Sequence, residues 1–326
     1  MISNKDFWKD GAMKPKKILI EILIVVFAFI LFTIWYQNCI RKTVPTTSLA
    51  LVKNFDIYLI TTDEDYQFWQ YVNNGAEDMA TLTGVRYYWR APDERSPEKQ
   101  VEIINEAVNS GAEALLVVAD DPILISGVIE DAKARGVKVV YVDAPSNEEA
   151  ITTLSTENYE AGFAAGQIML SKLTDMGINE GAIGIINIRD KITTMQRVEG
   201  FRDALAEEPS YNVLEAINTN GEPRSAQLAA EQIIEQNSDL VGLFGTNEGT
   251  SQGVGNAIKA NDNRFVGVGF DKSDITLDLL YDGSLKAIID QNPYTMGYLG
   301  MAEAIAAVLG KDTGPDYIDT GFKILE

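Results

Sequence analysis

The sequence predicts an α/β protein of two doubly wound lobes with parallel sheets, preceded by one transmembrane helix. Three observations lead there. From Phe55 onward, short β-favouring apolar runs alternate with helical patterns, the order that builds parallel sheets from right-handed βαβ units. The runs are too many for one sheet of usual width. Residues 18–36, ILIEILIVVFAFILFTIWY, are apolar for long enough to cross a bilayer as a helix, with Glu21 the only charge.

The chain divides in order. Residues 1–17 are expected on the cytoplasmic side, because Lys5, Lys9, Lys14, Lys16 and Lys17 outnumber Arg41 and Lys42 beyond the apolar run. Residues 18–36 are the expected anchor, with Trp35 and Tyr36 at the outer interface. A cleaved signal peptide would have a shorter apolar region ending in small residues. A lipoprotein signal ending at Cys39 would not carry Tyr36, Gln37 and Asn38 before it. Residues 37–52 read as a tether.

Strands are expected at Phe55–Thr61, Val85–Trp89, Ala114–Val118, Val137–Val142, Ile151–Ser155, Ala182–Ile188, Tyr211–Ile217, Gly242–Thr246, Phe265–Phe270 and Leu285–Ile289. The helix at Pro97–Ser110 shows the local logic. Ser96 caps it, Glu98 and Glu102 favour its start, Val101, Ile104 and Val108 form its apolar stripe, and Gly111 stops it. Pro122–Arg135 repeats the design between Asp121 and Gly136. The break between lobes is expected near Thr156–Asn158, after two strands with no helix between them, and a helix at Tyr159–Met176 opens the second series. The expected lobes are 53–156 with 292–312, and 157–291 with 313–326.

Composition excludes several functions. The formal charge of −21 repels phosphate backbones, so no nucleic-acid partner is expected. There is no histidine, hence no usual general base or Ser-His pair, and no catalytic residue stands out. Cys39 is the single cysteine, so no cysteine cluster exists for a metal. Neither metal nor cofactor is expected. Gly253-Val-Gly255 is only a fragment of a dinucleotide fingerprint, and the acid pairs lack the spacing of a calcium loop.

What remains is a set of polar and aromatic residues at strand ends, where open α/β sheets bind ligands. VKVVYVD ends in Asp143 and FVGVGFD in Asp271; either acid alone is as readily a turn or helix cap. Arg197 is expected near the first turn of a helix capped by Thr193 or Thr194, and Asn247 follows GLFGT. Gln291 follows a further strand. Phe68 and Trp69 are adjacent large aromatics after the first strand, with Tyr66 and Tyr71 close by. Two such neighbours on a helix do not both face one core, so at least one is expected to be exposed or to line a cleft.

Taken in order, these motifs resemble the type I periplasmic sugar-binding proteins of the ribose-binding-like branch. The carriers are Phe68-Trp69 ahead of Gly75-Ala76, Asp143, Arg197 before Glu199-Gly200-Phe201, Asn247-Glu248, Gly269-Phe270-Asp271 and Gln291-Asn292-Pro293. The resemblance runs from about Lys53 onward. It implies two Rossmann-like lobes joined by a three-strand hinge, with crossings near Thr156, near Gln291 and within Tyr317–Leu325. It also implies closure on a small sugar or polyol, with Phe68 and Trp69 stacked on the ring. Asp143, Arg197, Asn247, Asp271 and Gln291 would hold hydroxyls, with Tyr66 and Thr156 as further candidates. Three departures stand out. Ala144 replaces an arginine, Val118 replaces an asparagine, and the region of Gly221 lacks an aromatic. The implied partner is an ABC permease, or alternatively a membrane sensor histidine kinase that reads occupancy. A repressor of the same core fold would need an N-terminal helix-turn-helix and basic residues instead.

Overall fold

The computed structural model describes residues 31–33 and 55–326. The expected anchor at 18–36 lies outside the described residues except for Leu31–Thr33, which are helical; segments 1–17 and 37–52 lie wholly outside them. Among the described residues no helix is long and apolar enough to cross a membrane.

The first lobe begins β1 (Asp56–Ile60), α1 (Gln67–Thr83), β2 (Arg86–Arg90), α2 (Pro97–Asn109), β3 (Ala114–Val117), α3 (Pro122–Ala134), β4 (Lys138–Val142) and β5 (Thr153–Ser155). Local chemistry sets these bounds. Ser96 and Asp121 accept backbone N–H groups at the starts of α2 and α3, each followed by proline. The strands β1, β3 and β4 are buried on both faces, as parallel strands between helix layers must be.

The chain then enters the second lobe with α4 (Asn158–Asp175), β6 (Gly181–Ile188), α5 (Ile192–Leu205), β7 (Tyr211–Val213), β8 (Ile217–Thr219), α6 (Pro223–Gln236), β9 (Leu240–Gly245), α7 (Glu248–Lys259), β10 (Val266–Phe270), α8 (Asp274–Tyr281) and β11 (Ala287–Gln291). It returns through α9 (Pro293–Val308) to the first lobe and finishes with β12 (Tyr317–Asp319) and β13 (Phe322–Leu325). The first sheet has the order β12-β5-β4-β3-β1-β2, and the second β13-β11-β10-β9-β6-β7 with β8 also on β6. All pairings are parallel except β11 with β13.

Each sheet is covered on both faces. In the first lobe Phe68, Trp69 and Val72 of α1 pack with Met296 and Met301 of α9 against one face, and Ile104, Ile125 and Ile129 of α2 and α3 cover the other. In the second lobe Ile233, Val254 and Leu279 cover one face, and Met169, Leu173 and Phe201 cover the other.

Several expectations are corrected. The run at Tyr211–Ile217 is not one strand: β7 pairs with residues 181–183 and β8 with 186–188, with the break between them. The strand expected to stop at Ile289 continues to Gln291, because β13 pairs Asp290 with Lys323 and Gln291 with Phe322. The tail, assigned to the second lobe from residue 313 with a crossing implied within Tyr317–Leu325, is shared, since β12 extends the first sheet beside β5 and β13 extends the second.

The chain passes between the sheets at 156–157, at 292 and at 320–321. The three crossings are tied together. Thr320 N donates to Ser155 O at 2.9 Å, and Asn292 Nδ2 donates to Thr320 O at 2.7 Å. Gly321 carries φ 70°, a left-handed conformation that suits glycine at this sharp exit.

Candidate functional site

The C-terminal ends of the strands in both sheets face each other across a cavity of about 70 Å³. A single water takes roughly 10–15 Å³ by this measure, so the cavity has room for one small ring. Phe68, Trp69, Asp143, Arg197, Asn247, Asp271 and Gln291 all line it, as does Tyr66. Thr156 does not; it lines a neighbouring cavity on the hinge side.

Asp143 and Asp271 follow β4 and β10 directly. Both take left-handed backbone, φ 63° and 66°, a conformation that aspartate tolerates better than most residues. Their backbone N–H groups are held by the adjacent strands, Asp143 N to Leu154 O at 2.7 Å and Asp271 N to Ile289 O at 2.9 Å. Neither is a helix cap, since Ser273 caps α8. The Asp271 carboxylate accepts from Glu248 N at 3.0 Å and from Gln291 Nε2 at 2.7 Å. Asp143 Oδ1 and Gln291 Oε1 are buried and have no partner among the described residues, which is costly unless a ligand or water donates to them.

Arg197 comes from the second turn of α5. Lys191, not a threonine, stands at the N-cap, and no side chain caps this helix. Arg197 is 2 % exposed. Nε donates to Asn158 Oδ1 at 2.8 Å and Nη1 to Thr246 O at 2.9 Å, while the guanidinium lies 4.3 Å over the Phe270 ring. These contacts fix the fork and leave further N–H donors for the cavity. Asn247 is the N-cap of α7, its Oδ1 accepting from Thr250 N in a capping box, so it serves structure while bordering the cavity.

Phe68 and Trp69 meet edge to face, with centroids 4.7 Å apart at 86°. Neither is exposed: both are buried in the first lobe's core and both line the cavity. The sharp entry into α1 makes this possible. Asp63 accepts from Trp69 Nε1 at 3.1 Å and from Tyr66 N at 3.3 Å, so one carboxylate fixes the helix start and the indole together.

Sequence reasoning missed Asp63, Arg95 and Lys191 as lining residues and took Glu248 only as the acid after Asn247. All four line the cavity. The wall with Val118 and Ala144 is therefore not left apolar, because Arg95 and Lys191 reach it from loops. Near Gly221 the missing aromatic is supplied by the opposite lobe, where Tyr66 donates its hydroxyl to Gly221 O at 3.3 Å.

The lobes are in direct contact. Lys191 Nζ lies 2.6 Å from Asp120 Oδ1 and also bonds Asp120 O. Gln67 and Asp274 exchange two hydrogen bonds, at 3.0 and 2.8 Å. Glu248, at the first turn of α7, accepts from Phe68 N of α1 at 3.1 Å, so an acid of one lobe caps a helix of the other.

Burial dominates the electrostatics. It pushes Glu248 up to about 7, and Asp271 up to about 6 despite Arg197 and Gln291. It also raises Asp143 against Arg197, and Asp63 against Arg95. Burial lowers Arg197 and Lys191. Asp120 is the exception: burial raises it, but Arg95 and Lys191 together outweigh that and hold it below the ordinary carboxylate value. In their ionised form these acids accept hydrogen bonds from neutral hydroxyl donors.

Residues 57–312 match the family described as periplasmic binding protein domain. The chain belongs to this family. As a periplasmic-type binding protein it is 24 % identical to the xylose/arabinose-binding protein of Sulfolobus acidocaldarius, over 86 % of this chain and 71 % of that one. It is 23 % identical to the ribose import binding protein of Haemophilus influenzae, over 78 % and 86 %. A carbohydrate transporter solute-binding protein from Agrobacterium radiobacter, solved with D-arabinose, superposes with a TM-score of 0.78 at 26 % identity, covering 83 % of this chain and 94 % of that one. These relatives are binding proteins rather than enzymes, and the chain is a binding protein of the same type.

Proposed function

We propose that the chain is an extracytoplasmic, membrane-anchored binding protein that closes on one small sugar and presents it to an ABC permease. The observation that carries the reading is the cavity between the lobes. The Phe68–Trp69 pair lines it together with Asp143, Arg197, Asp271 and Gln291, and Asp143 Oδ1 and Gln291 Oε1 have no partner among the described residues. Aromatic faces take the C–H face of a sugar ring, and carboxylates and a guanidinium take its hydroxyls. Relatives named for xylose, arabinose and ribose support a pentose or a ring of similar size.

The permease partner is favoured because the relatives include import binding proteins; none of those compared above is described as a sensory subunit. The anchor rests on the apolar run at 18–36 and on the lysines before it. Tethering beside a membrane partner raises the effective concentration of the binding protein.

The test is a thermal-shift screen of the full chain against pentoses and hexoses. A rise in Tm with one or a few of them is expected, and a flat response across the panel overturns the sugar reading. Extraction of the chain with membranes, and release of the 55–326 body by protease added from outside the cell, check the anchor and its orientation.

A further inference from the structure

Beside the closed cavity lies a second, larger one of about 370 Å³, bounded by the hinge crossing and by Tyr317 of β12. Asp143 and Thr193 line both cavities, so the two share a wall. The geometry points to a second subsite here, one that takes the second residue of a disaccharide or a similar uncharged glycoside whose first ring fills the closed cavity. The inference rests on the sugar reading above and extends it from one ring to two.

Two buried polar atoms mark this place. Thr156 Oγ1 has no partner, and its residue is 1 % exposed; Asp143 Oδ1, on the shared wall, also has none. A buried hydroxyl and a carboxylate oxygen left unpaired are costly and call for donors and acceptors from outside the protein. Neighbouring hydroxyls on a linked pair of sugars supply both kinds within a few ångströms.

Charge narrows the class. Asp143 and Glu157 line the second cavity, and no lysine or arginine does. A phosphate or carboxylate substituent there would meet Glu157 and Asp143, with the nearest cation, Arg197, already shared between Asp143 and Asp271. Tyr317 offers a ring and a hydroxyl that burial, with Glu157 and Asp319 beside it, pushes up to about 12. Gln196, exposed on α5, adds a side chain that both donates and accepts. A ring face beside acceptor carboxylates and an amide matches the hydroxyls of a neutral sugar.

A second residue there would border Asn158, which also braces the first site. Asn158 holds Arg197 by Oδ1 and Thr156 O by Nδ2, at 2.8 and 2.9 Å. A ligand in the second cavity therefore meets a wall that is already braced, and Arg197 keeps its position for the first ring.

The experiment is calorimetric titration of the full chain with D-ribose, D-xylose, L-arabinose, D-galactose and D-glucose. Each is compared with disaccharides carrying it at either end. A disaccharide is expected to bind roughly tenfold tighter than its own monosaccharide. Tyr317→Ala and Gln196→Ala are expected to remove that gain while leaving the monosaccharide Kd within about twofold. Tight monosaccharide binding with disaccharides excluded, or equally weak in both variants and the parent, overturns the second subsite and leaves the sugar reading intact. Loss of monosaccharide and disaccharide affinity in parallel in both variants also overturns it, by placing Tyr317 and Gln196 in the general stability of the closed state. Absence of any sugar binding removes both readings together.

Discussion

Asp143 and Asp271 end corresponding strands of two different sheets with nearly the same left-handed backbone, φ 63° and 66°, and Arg197 interacts with both carboxylates. Each lobe thus contributes one conformationally constrained acid to a shared cation. Neither sheet alone holds the set, so its ligand chemistry exists only where the lobes meet.

Substitution at Asp271 tests that set. Asp271→Ala removes the acceptor of Glu248 N and Gln291 Nε2 and places alanine at positive φ, so it costs stability as well as binding. Asp271→Asn keeps the shape and tolerates the backbone. It keeps only one of the two acceptor oxygens, so it is expected to lower sugar affinity by about tenfold or more with a smaller loss of unliganded Tm than Asp271→Ala. Calorimetry and thermal melts together distinguish the two effects; unchanged affinity in Asp271→Asn takes this acid out of the site.

Glu248 makes stability depend on pH. Its carboxyl is raised from 4.5 to about 7 by burial, so the folded chain keeps a proton that the unfolded chain releases. Stability is then highest below the unfolded value and falls as pH rises from about 4.5 toward 7, with a slope of at most about 1.4 kcal/mol per pH unit for this proton. Glu248→Gln is expected to flatten that part of the profile, as read from denaturant melts across the window. A profile of unchanged slope contradicts the assignment.

The cross-lobe pair of Lys191 and Asp120 biases the protein toward closure. In Lys191→Met, Asp120 keeps Arg95 at 2.8 Å, so no buried charge is stranded. The unliganded chain is expected to populate open forms more, with a larger radius of gyration by small-angle scattering and a sugar affinity roughly three- to tenfold weaker. An identical scattering curve would show that this pair follows closure without favouring it.

Close helix packing places Arg197. A Cβ on Gly162 of α4 would stand 2.1 Å from Arg197 O and 2.6 Å from its Cα, which is backbone that cannot move aside cheaply. Gly162→Ala is expected to destabilise the second lobe by about 1–3 kcal/mol and to weaken sugar binding as α5 shifts. Thermal melts with and without ligand check both; a neutral Gly162→Ala means that the helices separate without consequence.

Much of the fold was legible because its signals are local. Ser96, Asp121, Gly111 and Gly136 mark helix ends within a few residues of what they terminate. Apolar runs such as VVYV and VGVG are long enough to identify strands buried on both faces. Asp143 and Asp271 were visible because a charge directly after such a run is conspicuous. Asp63, Arg95 and Lys191 were not, since loops carry them to the cavity and only the meeting of the lobes brings them there. The division of β7 from β8 and the sharing of the tail between sheets depend on strand partners far away in sequence. Thr156 sits at the crossing, as its position suggested, yet it opens on the neighbouring cavity.

The two hydrogen bonds that tie the three hinge crossings have a mechanical consequence. Ser155, Asn292 and Thr320 are hydrogen-bonded side by side, so the lobes are joined along a line and not at a point. Rotation about that line bends only a few residues, whereas shear or swivel would break the ties. Opening of the two halves would then be a turn about one spine, like the covers of a book, and a neighbouring protein touching both outer faces would need to sense only a single angle.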